Sequence, residues 1–264
     1  MDTPQFASST ARIAWIRAAV VRMSHEARSA HLGSSLSCVE IADAVLSASD
    51  LRPDTIERTA RDRLILSKGH AAMGWYAALA AHGLMPTSYL DGYLANGSPL
   101  WGHVTRTPRV PAIDASAGSL GHGLGLAVGF ALAARLRRWT TGAYCVLSDG
   151  ECDEGSVWEA ASFAGHHKLG SLVAVIDYNK IQSLDRCENV LTKEPFDLRW
   201  QSFGWIAERI DGHDADAMLA RIRAHDRSRP LVLLADTVKG KGIPRIEDTV
   251  ASHYKPALAE DVSR

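Results

Sequence analysis

At 264 residues the chain is long enough to bury roughly 70–75% of its unfolded surface, which favours one large domain over two. With 46% hydrophobic and 22% charged residues and a formal net charge of -1, it has an ordinary soluble composition and no basic stripe, which argues against nucleic acid and anionic membrane as partners. The cysteines, Cys38, Cys145, Cys152 and Cys187, form no CxxC pair, which argues against a zinc site or a secreted disulfide framework and makes the cytoplasm the expected compartment.

Arg12, Arg17 and Arg22 interrupt the apolar residues of the first segment, so it lacks the core of a signal peptide. No run approaches the ~20 apolar residues of a membrane span. Ala11 to Ala30 spaces its apolar residues as an amphipathic helix that would cover a sheet face. His31-Leu32-Gly33-Ser34-Ser35 reads as a small-residue turn, where His31 could point into a cleft or simply be solvated. Cys38 to Ala48 reads as a second helix. Leu51 to Asp62, charged and broken by proline, reads as a surface connection. Arg63 to Ser67 is the next expected strand, stopping at Lys68-Gly69-His70 before an alanine-rich helix from Ala71 to Ala81. Parallel sheets take ligands beyond the carboxyl ends of their strands, which places His70 beside a crevice.

Asn96 to Asp114 is rich in glycine and proline and has neither helical nor strand periodicity. A loop of this length is commonly functional, so it is expected to be an ordered lining loop carrying His103. Ala115 to Arg138 follows, with the Gly118 to Gly123 run at a helix start, and its glycines at 118, 121, 123, 125 and 129 would weaken an isolated helix. They imply close approach by another backbone or by a ligand. Gly118 to Gly123 could present N–H groups to an anion, although no clear strand precedes it as a dinucleotide fingerprint requires.

The most informative stretch runs from Tyr144 to Ile181. Ala143 to Leu147 and Leu172 to Ile176 are short apolar runs stopped by Ser148-Asp149-Gly150 and Asp177-Tyr178-Asn179, and Ser156 to Leu169 between them has helical spacing. This is a βαβ crossover, so the fold class is α/β with a parallel sheet sandwiched by helices. Asp149 and Asn179 both fall at strand carboxyl ends. A carboxylate and an amide oxygen beside glycine suit Mg²⁺ or Ca²⁺ carrying a diphosphate, although Asp-Gly and Tyr-Asn are also ordinary turn chemistry. Beyond this unit, Gln182 to Asp197 reads as irregular and Phe203 to Ile210 as an edge strand. Asp214 to Ala224 is expected to be a helix capped by Asp214, and Leu231 to Ala235 the last strand, leading into a basic glycine loop from Lys239.

Five stretches in order, Ser29 to Gly33, Leu66 to His70, Gly118 to Gly123, the Asp149 to Ile181 motif, and Thr237 to Gly242, resemble the amino-terminal, diphosphate-binding domain of transketolases. The resemblance covers about residues 31 to 253 and implies a single domain of the thiamine-diphosphate-binding fold over 1–264, with peripheral tails at about 1–10 and 255–264. It implies that Asp149, Asn179 and the Ile181 carbonyl hold Mg²⁺ or Ca²⁺ against thiamine diphosphate, with Gly150 packed near the phosphates and Gly118 and Leu120 flanking the aminopyrimidine. His31, His70, His103 and His253 would line the thiazolium and substrate channel, and Glu154 would reach across a subunit interface. Ser148, where the family often has glycine, and the single asparagine after Tyr178 depart from the pattern.

The pyrimidine-binding half of a transketolase has no counterpart here. The resemblance therefore implies a small subunit, inactive alone, that works with a separate carboxyl-terminal subunit, as an α2β2 heterotetramer, on a sugar phosphate or related ketose and aldose. Other readings are a subunit of a thiamine-dependent 2-oxoacid decarboxylase or acyloin synthase, or a non-catalytic scaffold.

Overall fold

Period-two alternation in five strands builds the core. In the computed structural model, which describes residues 4–262, strands β1 (Arg63–Leu66), β2 (Ala143–Ser148), β3 (Leu172–Tyr178), β4 (Ile206–Asp211) and β5 (Leu231–Asp236) form one sheet. The outermost residues of the two expected tails, 1–3 and 263–264, lie outside the described residues. The strand order is β1-β2-β3-β5-β4 and every pairing is parallel. Leu64, Leu66, Tyr144, Val146, Val173, Val175, Leu231 and Leu233 face one core, whereas Ile65, Cys145, Leu147, Ala174, Ile176, Val232 and Leu234 face the other. Strands covered on both faces need no polar side, which is why β2 and β3 are apolar almost throughout.

Helices α1 (Ser9–Glu26), α2 (Leu32–Ser37), α3 (Val39–Ala48) and α4 (Ala72–Ala81) pack on the first face, followed by the short α5 (Ser88–Asp91). Helices α6 (Gly123–Leu136) and α7 (Gly155–His166) cover the second, with the short α8 (Cys187–Val190) and α9 (Phe196–Ser202) after β3. Helix α10 (Ala215–Arg223) returns to the first face through Ala215, Met218 and Ile222, and α11 (Ala259–Val262) follows late in the chain. Ser8 Oγ caps α1 by accepting from the Ala11 N–H at 3.1 Å, and Asp214 Oδ1 caps α10 by accepting from the Ala217 N–H at 2.8 Å. Among the described residues no helix is long and apolar enough to cross a membrane.

The structure corrects or sharpens the sequence reading at several points. Residues 32–37 form helix α2 rather than a turn. Helix α6 starts at Gly123, at the end of the glycine run, because Gly121 turns the chain at φ +83°, where an added Cβ would lie 2.6 Å from Glu154 Cβ. Finally, β4 begins at Ile206, because residues 196–202 are helical. Phe196 and Trp200, one helical turn apart, are fully buried against Trp158, a pattern hidden in a polar stretch.

Candidate functional site

The carboxyl ends of β1, β2, β3 and β5 open onto one edge of the sheet. There they deliver Lys68 and His70, Asp149 and Glu151, Asn179 and Ile181, and Lys239, respectively, around a single cleft. The turn before α2 adds His31, the long loop before α6 adds His103, Gly118 and Leu120, and a late turn adds His253 and Tyr254.

Four imidazoles gather on one side. The His31 ring lies 5.4 Å from His70, 5.6 Å from His103 and 5.1 Å from His253, and His70 and His253 are 5.7 Å apart. His31 occupies the left-handed region at φ +68°, an uncommon place for a residue with a Cβ, and its N–H donates to the His253 carbonyl at 2.9 Å. Burial, then the neighbouring His103, Lys239 and Lys68, lowers His31 to about 4. Burial, then Lys239, lowers His253 to about 3, and burial with Lys68 lowers His70 well below the usual histidine range. These three rings are therefore uncharged at neutral pH and act as hydrogen-bonding groups or bases, not as cations.

Oxygen donors form the floor. Asp149 is 1% exposed; its Oδ1 accepts from the Gly150 N–H at 2.7 Å and its Oδ2 from the Lys180 N–H at 2.6 Å. Burial, then the charge on Asp177, pushes it up to about 6, and among the described residues no cationic side chain forms an ion pair with it. Asn179 donates its Nδ2 to Asp177 at 3.2 Å and Ser37 at 3.4 Å, which orients its Oδ1 away from them and toward the Ile181 N–H, 3.1 Å away. The Ile181 carbonyl accepts from Lys239 Nζ at 3.1 Å and keeps a second lone pair. At Gly150, an added Cβ would press on the Gln182 side chain at 3.0 Å.

Among the described residues no three His, Cys, Asp or Glu side chains are grouped to hold a metal ion. A cation here would be held by one carboxylate, one amide oxygen and one backbone carbonyl, with the rest of its shell from a ligand. That is a Mg²⁺-like set, and the buried Asp149 carboxylate, which has no direct ion-pair partner among the described residues, fits a cation beside it. Glu154 stands apart from this cleft: it is exposed at the start of α7 with its Cβ against Gly121.

Four charged residues that sequence reasoning passed over organise the floor. Lys68 and Asp177 are both 0% exposed and form an ion pair between the ends of β1 and β3. Burial pushes Asp177 up, but Lys68 with the hydroxyls of Ser37 and Thr237 outweighs it and holds Asp177 below the usual carboxylate range; Lys68 is correspondingly raised. Glu151 is fully buried, accepting from Ser67 Oγ and, at 2.8 Å, from the Gly121 N–H. Burial, then Lys68, lowers Lys239 to about 8. The signal was available: Asp177 inside an apolar strand and Lys68 directly after one have no short route to solvent, so each implies a buried partner.

Residues 8–264 match the family described as "Transketolase, thiamine diphosphate binding domain". The 6-deoxy-6-sulfo-D-fructose transketolase subunit of Clostridium sp. (strain MSTE9) is 38% identical over 241 residues, covering 87% of each chain. An apulose-4-phosphate transketolase subunit from Phocaeicola vulgatus is 34% identical, covering 92% of this chain and 87% of that one. Among solved structures, transketolase from Campylobacter jejuni superposes with a TM-score of 0.84 at 27% identity over 95% of this chain, which spans 40% of that longer protein.

Proposed function

The chain belongs to the transketolase family, as a thiamine diphosphate-binding domain, and from that premise we propose that it is the cofactor-binding subunit of a split transketolase. In this reading it transfers a two-carbon ketol unit from a ketose to an aldose only when joined to a separate carboxyl-terminal subunit. The observation that carries the reading is the convergence of Asp149, Asn179 and Ile181 with four imidazoles in one cleft at the strand ends.

Asp149, Asn179 and the Ile181 carbonyl would hold Mg²⁺ or Ca²⁺ against the diphosphate, with Gly150 leaving the backbone free to approach. Gly118 and Leu120, which line the same cleft, would flank the aminopyrimidine. Once bound, thiamine diphosphate supplies the carbanion chemistry, and the protein positions it and manages protons. The neutral rings of His31, His70 and His253, together with His103, would exchange a proton with a substrate hydroxyl as its carbon–carbon bond breaks or forms.

The names of the two relatives, each a transketolase subunit, support a partner subunit here. So does the cleft's rim, where Tyr254 is 62% exposed and offers a ring that a second chain would cover. We place Glu154, away from the cleft, at a contact with another subunit, and the assembly as α2β2, in the cytoplasm. The substrates are a sugar phosphate or a related ketose and aldose, gripped largely by the partner.

Calorimetry with thiamine diphosphate and Mg²⁺, on this chain with and without a candidate partner, tests the reading. Binding that requires Mg²⁺ supports it, and absence of binding in both cases overturns it. Ketol transfer from a ketose phosphate, set against turnover of pyruvate by the reconstituted pair, separates a transketolase from a decarboxylase.

A further inference from the structure

Lys239, 1% exposed on the loop after β5, has its Nζ 3.1 Å from the Ile181 carbonyl, 3.1 Å from the Gln182 carbonyl and 3.0 Å from His253 Nδ1. An ammonium group has three N–H donors and no lone pair, and these three acceptors use all of it. An imidazole nitrogen that faces such a donor cannot carry a hydrogen itself. We propose that Lys239 is a positioning residue that locks the His253 ring in the tautomer with its proton on Nε2.

The surroundings are built to hold this contact. Gly33 lies against the lysine stem and the neighbouring turn: an added Cβ there would fall 2.7 Å from Ser252 Oγ and 3.2 Å from Lys239 Cγ. The Gly240 N–H donates to the Gly33 carbonyl at 3.0 Å, which pins the lysine's own loop to α2. The His31 N–H holds the His253 carbonyl at 2.9 Å, so His253 is fixed through its backbone from one side and through its ring from the other. The same ammonium ties the loop after β3, with Ile181 and Gln182, to the turn carrying His253.

The tautomer decides what the ring offers. With the proton on Nε2, the cleft-lining ring has one N–H to give and suits an anionic oxygen. With the proton on Nδ1, donated to an uncharged amine, Nε2 would be an acceptor and would repel that oxygen. The use of this N–H toward a diphosphate rests on the reading of the cleft given above, whereas the tautomer does not.

The test is a long-range ¹H–¹⁵N correlation spectrum of the full chain with ¹⁵N-labelled histidine rings at pH 7, with His253 assigned by its disappearance in His253→Gln. The expected spectrum has a bare, non-protonated Nδ1 and a protonated Nε2 for His253, and Lys239→Met collapses this separation toward averaged tautomers. A wild-type His253 that is protonated on Nδ1 or already averaged overturns the proposal, whether or not the variant folds. A Lys239→Met spectrum identical to wild type also overturns it. Because no ligand is added, a failure here leaves the cofactor role standing, and a chain that does not bind thiamine diphosphate can still show the locked ring.

Discussion

Replacing Asp149 by asparagine separates what this residue does for the ligand from what it does for the fold. Burial, then Asp177, raises Asp149 from an ordinary 3.8 to about 6, which makes its ionisation about 3 kcal/mol harder in the folded chain than in the unfolded one. A raised carboxyl contributes stability that is fully present below the unfolded value and is lost as pH rises through the folded value of about 6. Asparagine removes that cost. However, both carboxylate oxygens accept backbone N–H groups, from Gly150 at 2.7 Å and Lys180 at 2.6 Å, and an amide can satisfy only one of them. The stranded N–H costs about 1–3 kcal/mol.

The two effects nearly cancel at pH 8, so Asp149→Asn without metal should lie within about 2 kcal/mol of wild type there. Between pH 5 and pH 8 the variant should gain on wild type by about 1–2 kcal/mol. Urea denaturation of both proteins at the two pH values, in chelator, measures this difference. Adding Mg²⁺ and thiamine diphosphate at a hundred times the dissociation constant should then stabilise wild type by about 2.7 kcal/mol and the variant by nothing. A variant that is severely unstable at pH 8, shows no pH-dependent difference, or is still stabilised by the ligands would refute the reasoning.

Lys68→Met should cost about 3–5 kcal/mol in urea denaturation, because it leaves Asp177 charged at 0% exposure without its partner; a loss under 1 kcal/mol would mean that the pair is not closed. On α6, Gly123→Ala should destabilise by about 1–3 kcal/mol, since its Cβ would fall 2.4 Å from Ser67 Cβ. Gly125→Ala, with nothing within 4 Å, should stabilise the isolated chain by about 0.5–1 kcal/mol, and thermal melts that reverse this order would contradict the packing. Burial and nearby positive charge hold His31 at about 4 and His253 at about 3, so their ring resonances should stay flat from pH 8 down to pH 5. A lowered histidine contributes stability that is present above the ordinary 6.5 and is lost as pH falls through the folded value; a midpoint near 6.5 for either ring would exclude the buried cluster.

What could be read from the sequence was whatever local chemistry fixes. The strand-helix-strand unit around Asp149 and Asn179 was legible because short apolar runs and a helical spacing alternate there. The positions of His70 and Asp149 followed from the rule that ligands gather at strand carboxyl ends. What was not legible depends on contacts between distant residues. Lys68 and Asp177 are 109 residues apart, and only the sheet order brings their ends together. Helix α9 was missed because its two buried aromatics, Phe196 and Trp200, have charged and polar neighbours that mask the period. The glycines of the segment before and within α6 signalled close approach without saying by what: Gly121 meets Glu154 and Ser156, Gly123 meets Ser67, and beside Gly118 the space is open.

Anomalous diffraction from a crystal of the chain with a candidate partner subunit, grown with Mn²⁺ and thiamine diphosphate, tests the central claim most directly. The expected result is one strong manganese peak bounded by the Asp149 carboxylate, the Asn179 amide oxygen and the Ile181 carbonyl, with diphosphate oxygens completing its shell. Cofactor density in the cleft with no metal touching Asp149, or manganese bound elsewhere on the chain, would contradict it.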